Sequence, residues 1–184
     1  MTKLRGFTLI ELILVLVLLG ILAAVALPRL QLGSQFEQRL QADNLVGLLR
    51  LAQLRAMNDP KALTNDIGFK QCGRVVIAKN GFSLSKDCNS AVLLTNEQLK
   101  SAEQQGLFLG KTGLNITVEP TSFTLPLVLQ FGKEPDNAAD KNYLSEDSRL
   151  GRPFINDTRL ARPLEITIGG KTVHIETEGY IHAP

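Results

Sequence analysis

The sequence contains few of the residues that carry out chemistry in protein sites. Its 184 residues include two histidines, two cysteines and no tryptophan. It has no G-x-S-x-G nucleophile elbow, no H-E-x-x-H zinc motif and no G-x-x-x-x-G-K-S/T phosphate loop. His174 alternates with apolar residues, as in a strand that exposes it or pairs it across a sheet, and His182 lies near the chain end, where we expect fraying. We therefore predict that the protein is not an enzyme.

Charge of one sign is also lacking. The 20 Lys+Arg and 18 Asp+Glu give a formal net charge of +2, and Lys3 and Arg5 account for the excess. No basic tail and no basic patch interleaved with aromatic residues is present, although these are the usual marks of a nucleic-acid-binding protein. We predict no dedicated nucleic-acid binding. No internal repeat divides the chain, so its length suits one domain and an anchor.

The feature that dominates the sequence is an apolar run over residues 7–27, which follows a basic leader at residues 1–6. As a helix, this run extends roughly 32 Å, close to the thickness of the hydrocarbon core of a bilayer. The basic leader favours a cytoplasmic N-terminus and an outward C-terminus. A cleaved secretory signal is the alternative, since Ala24 and Ala26 imitate a cleavage site, but its apolar core would be unusually long.

Glu11 is the only charged residue in the apolar run. A carboxylate in a lipid-facing helix costs about 2.5–3.5 kcal/mol, so we expect Glu11 to have a partner or a function. The alternative is that Glu11 lies at the membrane interface and reaches water there.

The N-terminal residues resemble those of the type IV pilin and type II secretion pseudopilin family. Gly6 and Phe7 are followed by Thr-Leu-Ile, by Glu11 and by an apolar run that ends at Pro28. The resemblance implies that a prepilin peptidase cleaves between Gly6 and Phe7 and methylates the new amine of Phe7. It also implies that Glu11 pairs with the N-terminal amine of a neighbouring subunit during filament assembly.

Two further likenesses narrow the hypothesis. Residues 45–57 are similar to the helix end of the GspH/FimT-like branch of minor pilins, and residues 16–29 to pilins of the mannose-sensitive haemagglutinin type. We expect a structural minor pilin that enters, primes or caps a type IV pilus. A minor pseudopilin of type II secretion, a plain single-pass periplasmic protein, and an exported enzyme or binding protein with an unusual signal are the alternatives.

The resemblance also implies partners and a location. The expected partners are the prepilin peptidase, other pilin or pseudopilin subunits, the inner membrane and its assembly platform. The protein would first cross the inner membrane once, with its C-terminal domain in the periplasm, and later lie in the pilus or pseudopilus filament.

A second helical segment follows the apolar run. Pro28 is expected to kink the helix, although it could instead end it. Apolar residues then recur every three or four positions, while polar residues occupy the opposite face. The predicted buried stripe comprises Leu32, Phe36, Leu40, Leu45, Leu48, Leu49, Ala52 and Ala56. Asn58, Asp59 and Pro60 form the predicted helix stop.

Beyond Pro60 the pattern predicts mostly antiparallel strands. Asn80 and Gly81 suit a tight type I′ turn between two short strands, and Gly169 and Gly170 mark a second hairpin. The predicted strands are 74–78, 82–84, 92–94, 114–118, 122–125, 127–131, 164–168 and 172–177, with Pro126 at a sheet edge or bulge. Residues 96–105 could form either a helical turn or a loop.

These segments predict an α+β protein with a pilin-like fold, in which the long N-terminal helix packs on an antiparallel sheet. The predicted divisions are a cleaved leader at 1–6, a transmembrane or filament-core helix at 7–27, an amphipathic helix half at 28–58 and a β-rich extracytoplasmic domain at 59–184.

Cys72 precedes the first predicted strand and Cys88 follows the second, so a hairpin would bring them together. An extracytoplasmic domain lies in an oxidising compartment, where a disulfide is favoured. Two buried free thiols are the alternative. No further cysteine is present and the histidines are distant, so we predict no metal site.

Residues 133–153 form a polar connection with few apolar residues, and we expect a surface loop. The oxygen-rich residues in it are Asp136, Asn137, Asp140, Glu146 and Asp147. They could hold Ca²⁺, but their spacing fits no EF-hand pattern, and a solvated loop with no cofactor is our interpretation.

Overall fold

The computed structural model describes residues 9–64, 67–134 and 144–183, together with their side chains except those of residues 23–35 and 38. It confirms the α+β prediction, with an N-terminal helix and two antiparallel sheets that are consistent with a pilin-like fold. The chain divides into two compact units, Met1–Glu37 and Gln38–Pro184.

The N-terminal helix, α1, spans Leu9–Asn58. Its backbone stays helical through position 28, so the alternative that Pro28 ends the helix is wrong. The predicted stop at Asn58 is confirmed. Asp59 then caps a short 3₁₀ turn at Pro60–Leu63, where its side chain accepts a hydrogen bond from the backbone N–H of Lys61 at 2.9 Å. This cap, with Pro60 beginning the new turn, explains why the chain changes direction here.

The apolar stripe of α1 is confirmed over its second half. Leu45, Leu48, Leu49, Ala52 and Ala56 are all buried in the core. At the start of this unit the stripe is only partly buried, since Leu40 is 44% exposed. Phe36 belongs to the other unit, where it is 72% exposed, and the side chain of Leu32 lies outside the described residues. Helical periodicity identifies which face is apolar, but it does not reveal how far along the helix the packing partner extends.

The first sheet has six strands in the order β3-β2-β1-β5-β6-β7. All of its neighbouring strands are antiparallel. Their bounds are β1 Arg74–Ala78, β2 Gly81–Leu84, β3 Gly110–Thr112, β5 Leu127–Phe131, β6 Pro153–Ile155 and β7 Thr158–Arg159.

The second sheet has four antiparallel strands in the order β10-β9-β8-β4. Their bounds are β4 Ile116–Glu119, β8 Leu164–Ile168, β9 Lys171–Ile175 and β10 Ile181–His182. Residues alternate along β8 between buried and half-buried, as in a sheet with one face on the core. Two short helices complete the described elements, α2 at Asn96–Gln104 and α3 at Glu146–Arg149.

The first hairpin forms, but its predicted turn is wrong by one residue. Ala78 pairs with Gly81, so the two turn residues are Lys79 and Asn80. Gly81 is instead the first residue of β2, where an added Cβ would overlap the carbonyl oxygen of Lys111. Glycine is needed at this position because β3 passes close by, and not because the turn requires a positive φ.

Other turns follow the expected chemistry. The turn at Gly169 and Gly170 is confirmed, with φ of 56° and 82°. Asn156 and Asp157 form a similar turn between β6 and β7, with φ of 48° and 64°. Both pairs fit the type I′ preference for residues that tolerate positive φ. The second turn was missed because the strands beside it are only two or three residues long.

Three predicted features of the β-rich part are wrong. Residues 92–94 and 122–125 lie outside any strand. Pro126 lies just before the interior strand β5 and not at an edge or bulge. Residues 96–104 form helix α2, where the side chain of Thr95 and that of Gln98 make a capping box. The predicted loop at 133–153 contains α3 and the first residue of β6.

Candidate functional site

The N-terminal segment is the part of the chain that the sequence singles out. Gly6 and Phe7 lie outside the described residues. Glu11 lies in the first described turn of α1 and is exposed. The large apolar side chains of residues 9–22 are between 42% and 76% exposed. An apolar surface of this extent is typical of a segment that contacts lipid or other protein chains.

Within the described ranges, the structure contains no helix that is both long enough and apolar enough to cross a membrane. The predicted span at 7–27 includes positions outside the described side chains, so it stays a prediction. The kink at Pro28 also stays a prediction.

The second half of α1 is held to the domain by polar contacts as well as by its apolar stripe. The guanidinium of Arg50 donates to the carbonyl oxygen of Ile181 at 3.1 Å. The side-chain amide of Gln53 donates to the carbonyl oxygens of Gly151 at 3.1 Å and Gly179 at 2.8 Å. Arg50 lies outside the apolar stripe of the helix, and its guanidinium reaches the backbone of the C-terminal strand β10.

The disulfide between Cys72 and Cys88 is present, with the two Cα atoms 5.4 Å apart. It closes the base of the β1–β2 hairpin, as the position of the cysteines suggested. Arg55 donates to the carbonyl oxygen of Cys72 at 3.0 Å, and Arg74 to that of Cys88 at 2.6 Å. Both disulfide residues are therefore also fixed through their backbone carbonyls.

The two arginines at the disulfide are partly withdrawn from water. Burial lowers the pKa of Arg55 and also that of Arg74. For Arg74, the charges of Asp157 and Glu134 oppose this lowering of the pKa, and the Glu134 carboxylate lies 3.8 Å from the guanidinium. The carbonyl oxygen of Cys88 and the carboxylate of Glu134 offset part of the cost of burying the Arg74 guanidinium.

The two histidines meet on the outer face of the second sheet. His174 and His182 are partners in the β9–β10 ladder, and their rings stack with centroids 5.0 Å apart. The Nδ1 atom of His174 lies 3.5 Å from Glu165, and Tyr180 stacks on His182 at 5.1 Å. The prediction that His174 pairs across the sheet is confirmed, whereas the predicted fraying of His182 is wrong because β10 joins the sheet.

The oxygen-rich segment is only partly described. Asp136, Asn137 and Asp140 lie outside the described residues. Glu146 and Asp147 lie in α3, where Asp147 pairs with Arg152 at 3.2 Å. Among the residues that the structure describes, no three histidine, cysteine or acidic side chains converge as metal ligands. The expectation that no ion binds at 133–153 stays a prediction.

Arg152 connects α3 to the C-terminal turn. Besides Asp147 it contacts Glu178 at 3.2 Å, and Glu178 also contacts Arg159 at 3.3 Å. The hydrogen bond to Asp147 is the main cause that raises the pKa of Arg152, with Glu178 acting in the same direction. The Asp147 pair is half-buried and Glu178 is exposed, and ion pairs near the protein surface contribute little to stability.

Comparison with known proteins bears on the N-terminal segment. Residues 1–27 match the family described as the prokaryotic N-terminal methylation motif. No curated protein and no solved structure gives a significant match to the chain. The motif implies processing by a prepilin peptidase and assembly with other pilin subunits. The N-terminal segment of this chain is therefore similar to that of precursors of the type IV pilin and pseudopilin type.

Proposed function

We propose that the protein is a structural minor pilin, which enters, primes or caps a type IV pilus. The observation that carries this proposal is the methylation motif at residues 1–27, which includes the beginning of the 50-residue helix α1. In the proposed sequence of events, a prepilin peptidase cleaves between Gly6 and Phe7 and methylates the amine of Phe7. The inner-membrane assembly platform then transfers the subunit from the membrane to the filament.

The exposed apolar side chains of residues 9–22 support a role that keeps them out of water. At about 25 cal/mol per Å², leaving such a surface in water is unfavourable, and burial in lipid or among other helices removes the cost. A filament core and a bilayer are equivalent in this respect. The same segment can thus be stored in the inner membrane and later packed against other subunits without passing through an aqueous state.

Glu11 gives this transfer a defined register. Cleavage after Gly6 creates a cationic amine on Phe7, and a carboxylate within an apolar environment is stable only beside such a partner. Pairing Glu11 with the amine of a neighbouring subunit would therefore favour one axial position over its alternatives. This role rests on the charge and position of Glu11 within the apolar run.

The domain is firmly attached to the helix that would carry it. The buried stripe of α1 and the contacts of Arg50, Gln53 and Arg55 fix the second half of the helix to both sheets. The disulfide supports a location of the domain in the periplasm and later on the filament, because such bonds persist in oxidising compartments. A minor pseudopilin of a type II secretion system is the second candidate, favoured by the same motif.

The proposal is tested by the mass of the mature protein recovered from its own host. We expect an N-terminus at methylated Phe7, and accumulation of uncleaved precursor when Gly6→Val is introduced. Thr2→Val is the matched control in the leader and should be processed normally. A mature N-terminus near Leu27, or one that retains Met1 in the wild type, would contradict the proposal.

A second measurement separates the two candidates. Filaments are sheared from the cell surface, and the number of copies of this chain per major pilin subunit is measured by quantitative mass spectrometry. A minor pilin should be present at a small fraction of the major subunit. Absence from surface pili, together with loss of protein secretion when the gene is deleted, would favour the pseudopilin candidate instead.

A further inference from the structure

Strand β3 has an open edge whose hydrogen-bonding direction can be established from its pairing. The N–H of Leu84 donates to the carbonyl oxygen of Leu109 at 3.0 Å, so this is a hydrogen-bonded pair between β2 and the chain entering β3. In an antiparallel ladder, bonded and non-bonded pairs alternate. Lys111 therefore also faces β2, while the N–H and C=O groups of Gly110 and Thr112 point away from it.

The contacts of the glycines in β2 and β3 agree with this orientation. A Cβ added to Gly110 would overlap the backbone of Phe82 and Ser83, and one added to Gly81 would overlap that of Lys111. The Cα atoms of an antiparallel pair approach most closely when the pair is not hydrogen-bonded. The overlap of the added Cβ of Gly110 with β2 is therefore expected if Gly110 and Ser83 form such a pair. No residue of the described chain donates to or accepts from the outward backbone groups of Gly110 and Thr112, of which Gly110 is buried and Thr112 half-buried.

These outward groups lie along a groove of about 390 Å³. One wall of the groove is formed by α1, at Leu40 and Asn44. The other wall is formed by α2, at Leu99. The side chains of Leu107 and Phe108 are exposed at the same groove. The groove thus combines an unpaired strand edge with apolar side chains, which is the arrangement that accepts an added strand.

Gln41 supplies a second observation at this groove. Its side chain lines the groove and is only 6% exposed, yet its Oε1 atom has no hydrogen-bond donor. Buried polar atoms nearly always have a partner, so an orphan of this kind calls for an explanation. This atom has almost no accessible surface, so a donor carried by an occupant of the groove would reach it after the Gln41 side chain turns towards the groove.

Charge at the rim indicates which occupant fits. Lys100 and Lys111 are exposed at the groove, against Glu103 as the one acidic side chain that lines it. The rim therefore carries a net positive charge and favours an acidic segment over a basic one.

We propose that the β3 edge and its groove bind an extended, acidic peptide segment of a partner protein, which adds a seventh strand beside β3. One residue of that segment exchanges two hydrogen bonds with the half-buried Thr112. The residue two positions along exchanges two with Gly110, once the side chains that bury this glycine move aside. Apolar side chains at every second position contact Leu107 and Phe108. The binding site is independent of the proposed filament role and would be present in any chain with this domain.

The test uses the full chain in detergent micelles and a phage-displayed library of random twelve-residue peptides. Phage are selected for binding to the wild type, and those that also bind the Thr112→Pro variant are removed. This substitution removes an outward N–H and leaves the β2–β3 hydrogen bonds intact. Thr112→Val is the matched control, because it loses the 2.6 Å contact of the Thr112 hydroxyl with Asn96 but keeps the N–H.

We expect selected peptides that contain an acidic residue and alternate apolar residues. They should bind the wild type and Thr112→Val alike, and bind Thr112→Pro at least tenfold more weakly. A bound peptide should slow amide hydrogen exchange at Gly110 and Thr112, measured by NMR, and methylation of its strand-facing amides should abolish binding. Lys100→Glu with Lys111→Glu should weaken it several-fold.

The proposal is overturned if no peptide is enriched on the wild type over Thr112→Pro. It is also overturned if the enriched peptides are basic, or if they leave exchange at Gly110 and Thr112 unchanged while protecting another edge such as β4. Circular dichroism of Thr112→Pro should match that of the wild type. If this variant has lost its fold, peptides are selected on the wild type alone, and the methylated peptides then test whether binding needs the strand-facing amides.

Discussion

The side-chain amide of Gln53 donates to the carbonyl oxygen of Gly179 at 2.8 Å, across 126 positions of sequence. The same amide donates to Gly151, which lies between α3 and β6. One residue of α1 therefore joins a turn of the first sheet to the turn before β10. Both acceptors are glycine carbonyls in tight turns, so α1 recognises backbone and not side chains at this point.

We predict that Gln53→Leu lowers the free energy of unfolding by about 2 kcal/mol, because two hydrogen bonds are lost and two carbonyls are left in a half-buried site. Urea unfolding followed by circular dichroism in detergent measures the change. Gln104→Leu, on the exposed end of α2, is the matched control and should shift stability by less than about 0.5 kcal/mol. Equal effects of the two variants would refute a special role for Gln53.

Three glycine-to-alanine variants separate backbone strain from steric overlap. Gly179 has φ of 91° and an added Cβ would overlap the carbonyl of Gly151, whereas Gly170 has φ of 82° and open space. Gly47 is helical with open space. We expect losses of about 3 kcal/mol for Gly179→Ala and about 1 kcal/mol for Gly170→Ala, and a gain of about 0.5 kcal/mol for Gly47→Ala.

Thermal unfolding of the three proteins gives the order directly. If Gly179→Ala is no worse than Gly170→Ala, the close approach of the two turns near Gln53 is not required for the fold.

Removal of the disulfide should lower stability by about 3 kcal/mol, since it closes a loop between residues 16 apart. The variant is Cys72→Ala with Cys88→Ala, measured by its urea midpoint. Wild type treated with a reductant should behave like the double variant, and the reductant should leave the double variant unchanged. A wild-type midpoint that does not move, although alkylation shows both thiols to be free, would contradict this expectation.

Gln41→Met is expected to stabilise the protein by about 1 kcal/mol. Methionine has nearly the same shape, and it replaces the buried Oε1 that lacks a donor. The same variant should weaken peptide binding at the groove, so stability and binding change in opposite directions. Gln41→Met that is less stable than wild type in urea unfolding would show that the carboxamide already has a favourable environment.

Glu11→Leu is expected to leave membrane insertion intact and to reduce incorporation into filaments at least tenfold. The apolar run becomes more apolar, but the carboxylate that pairs with a neighbouring amine is lost. Membrane fractionation and the sheared filament fraction provide the two readouts, and Glu37→Leu is the control on an exposed position of α1. Normal incorporation of Glu11→Leu would rule out charge pairing.

Local patterns predicted the elements in which neighbouring residues decide the structure. The end of α1 at Asn58 and the hairpin at Gly169 and Gly170 are both fixed by a few adjacent residues. The pairing of Cys72 with Cys88 also followed from a local hairpin. In each case the residues that carry the sequence pattern and the structure that they form lie within about twenty residues of each other.

Long-range packing decided what the sequence could not predict. Residues 92–94 have the composition of a strand, but the N–H of Leu94 donates to the side-chain hydroxyl of Ser83 in β2 at 2.9 Å and not to a backbone carbonyl of a neighbouring strand. Gly81 was predicted to be a turn residue, but it lies in β2, where the close approach of β3 requires a glycine. The open edge of β3 was likewise hidden, because strand order depends on the whole sheet and not on residues 110–112.

The stacked histidines have a practical consequence. They are the only two imidazoles in the chain, and they lie against each other on neighbouring strands. Their aromatic proton resonances would form an isolated pair in an NMR spectrum, displaced by mutual ring currents. Because the displacement depends on the register of β9 and β10, the pair would report whether the C-terminal strand keeps its place when the surroundings of the protein change.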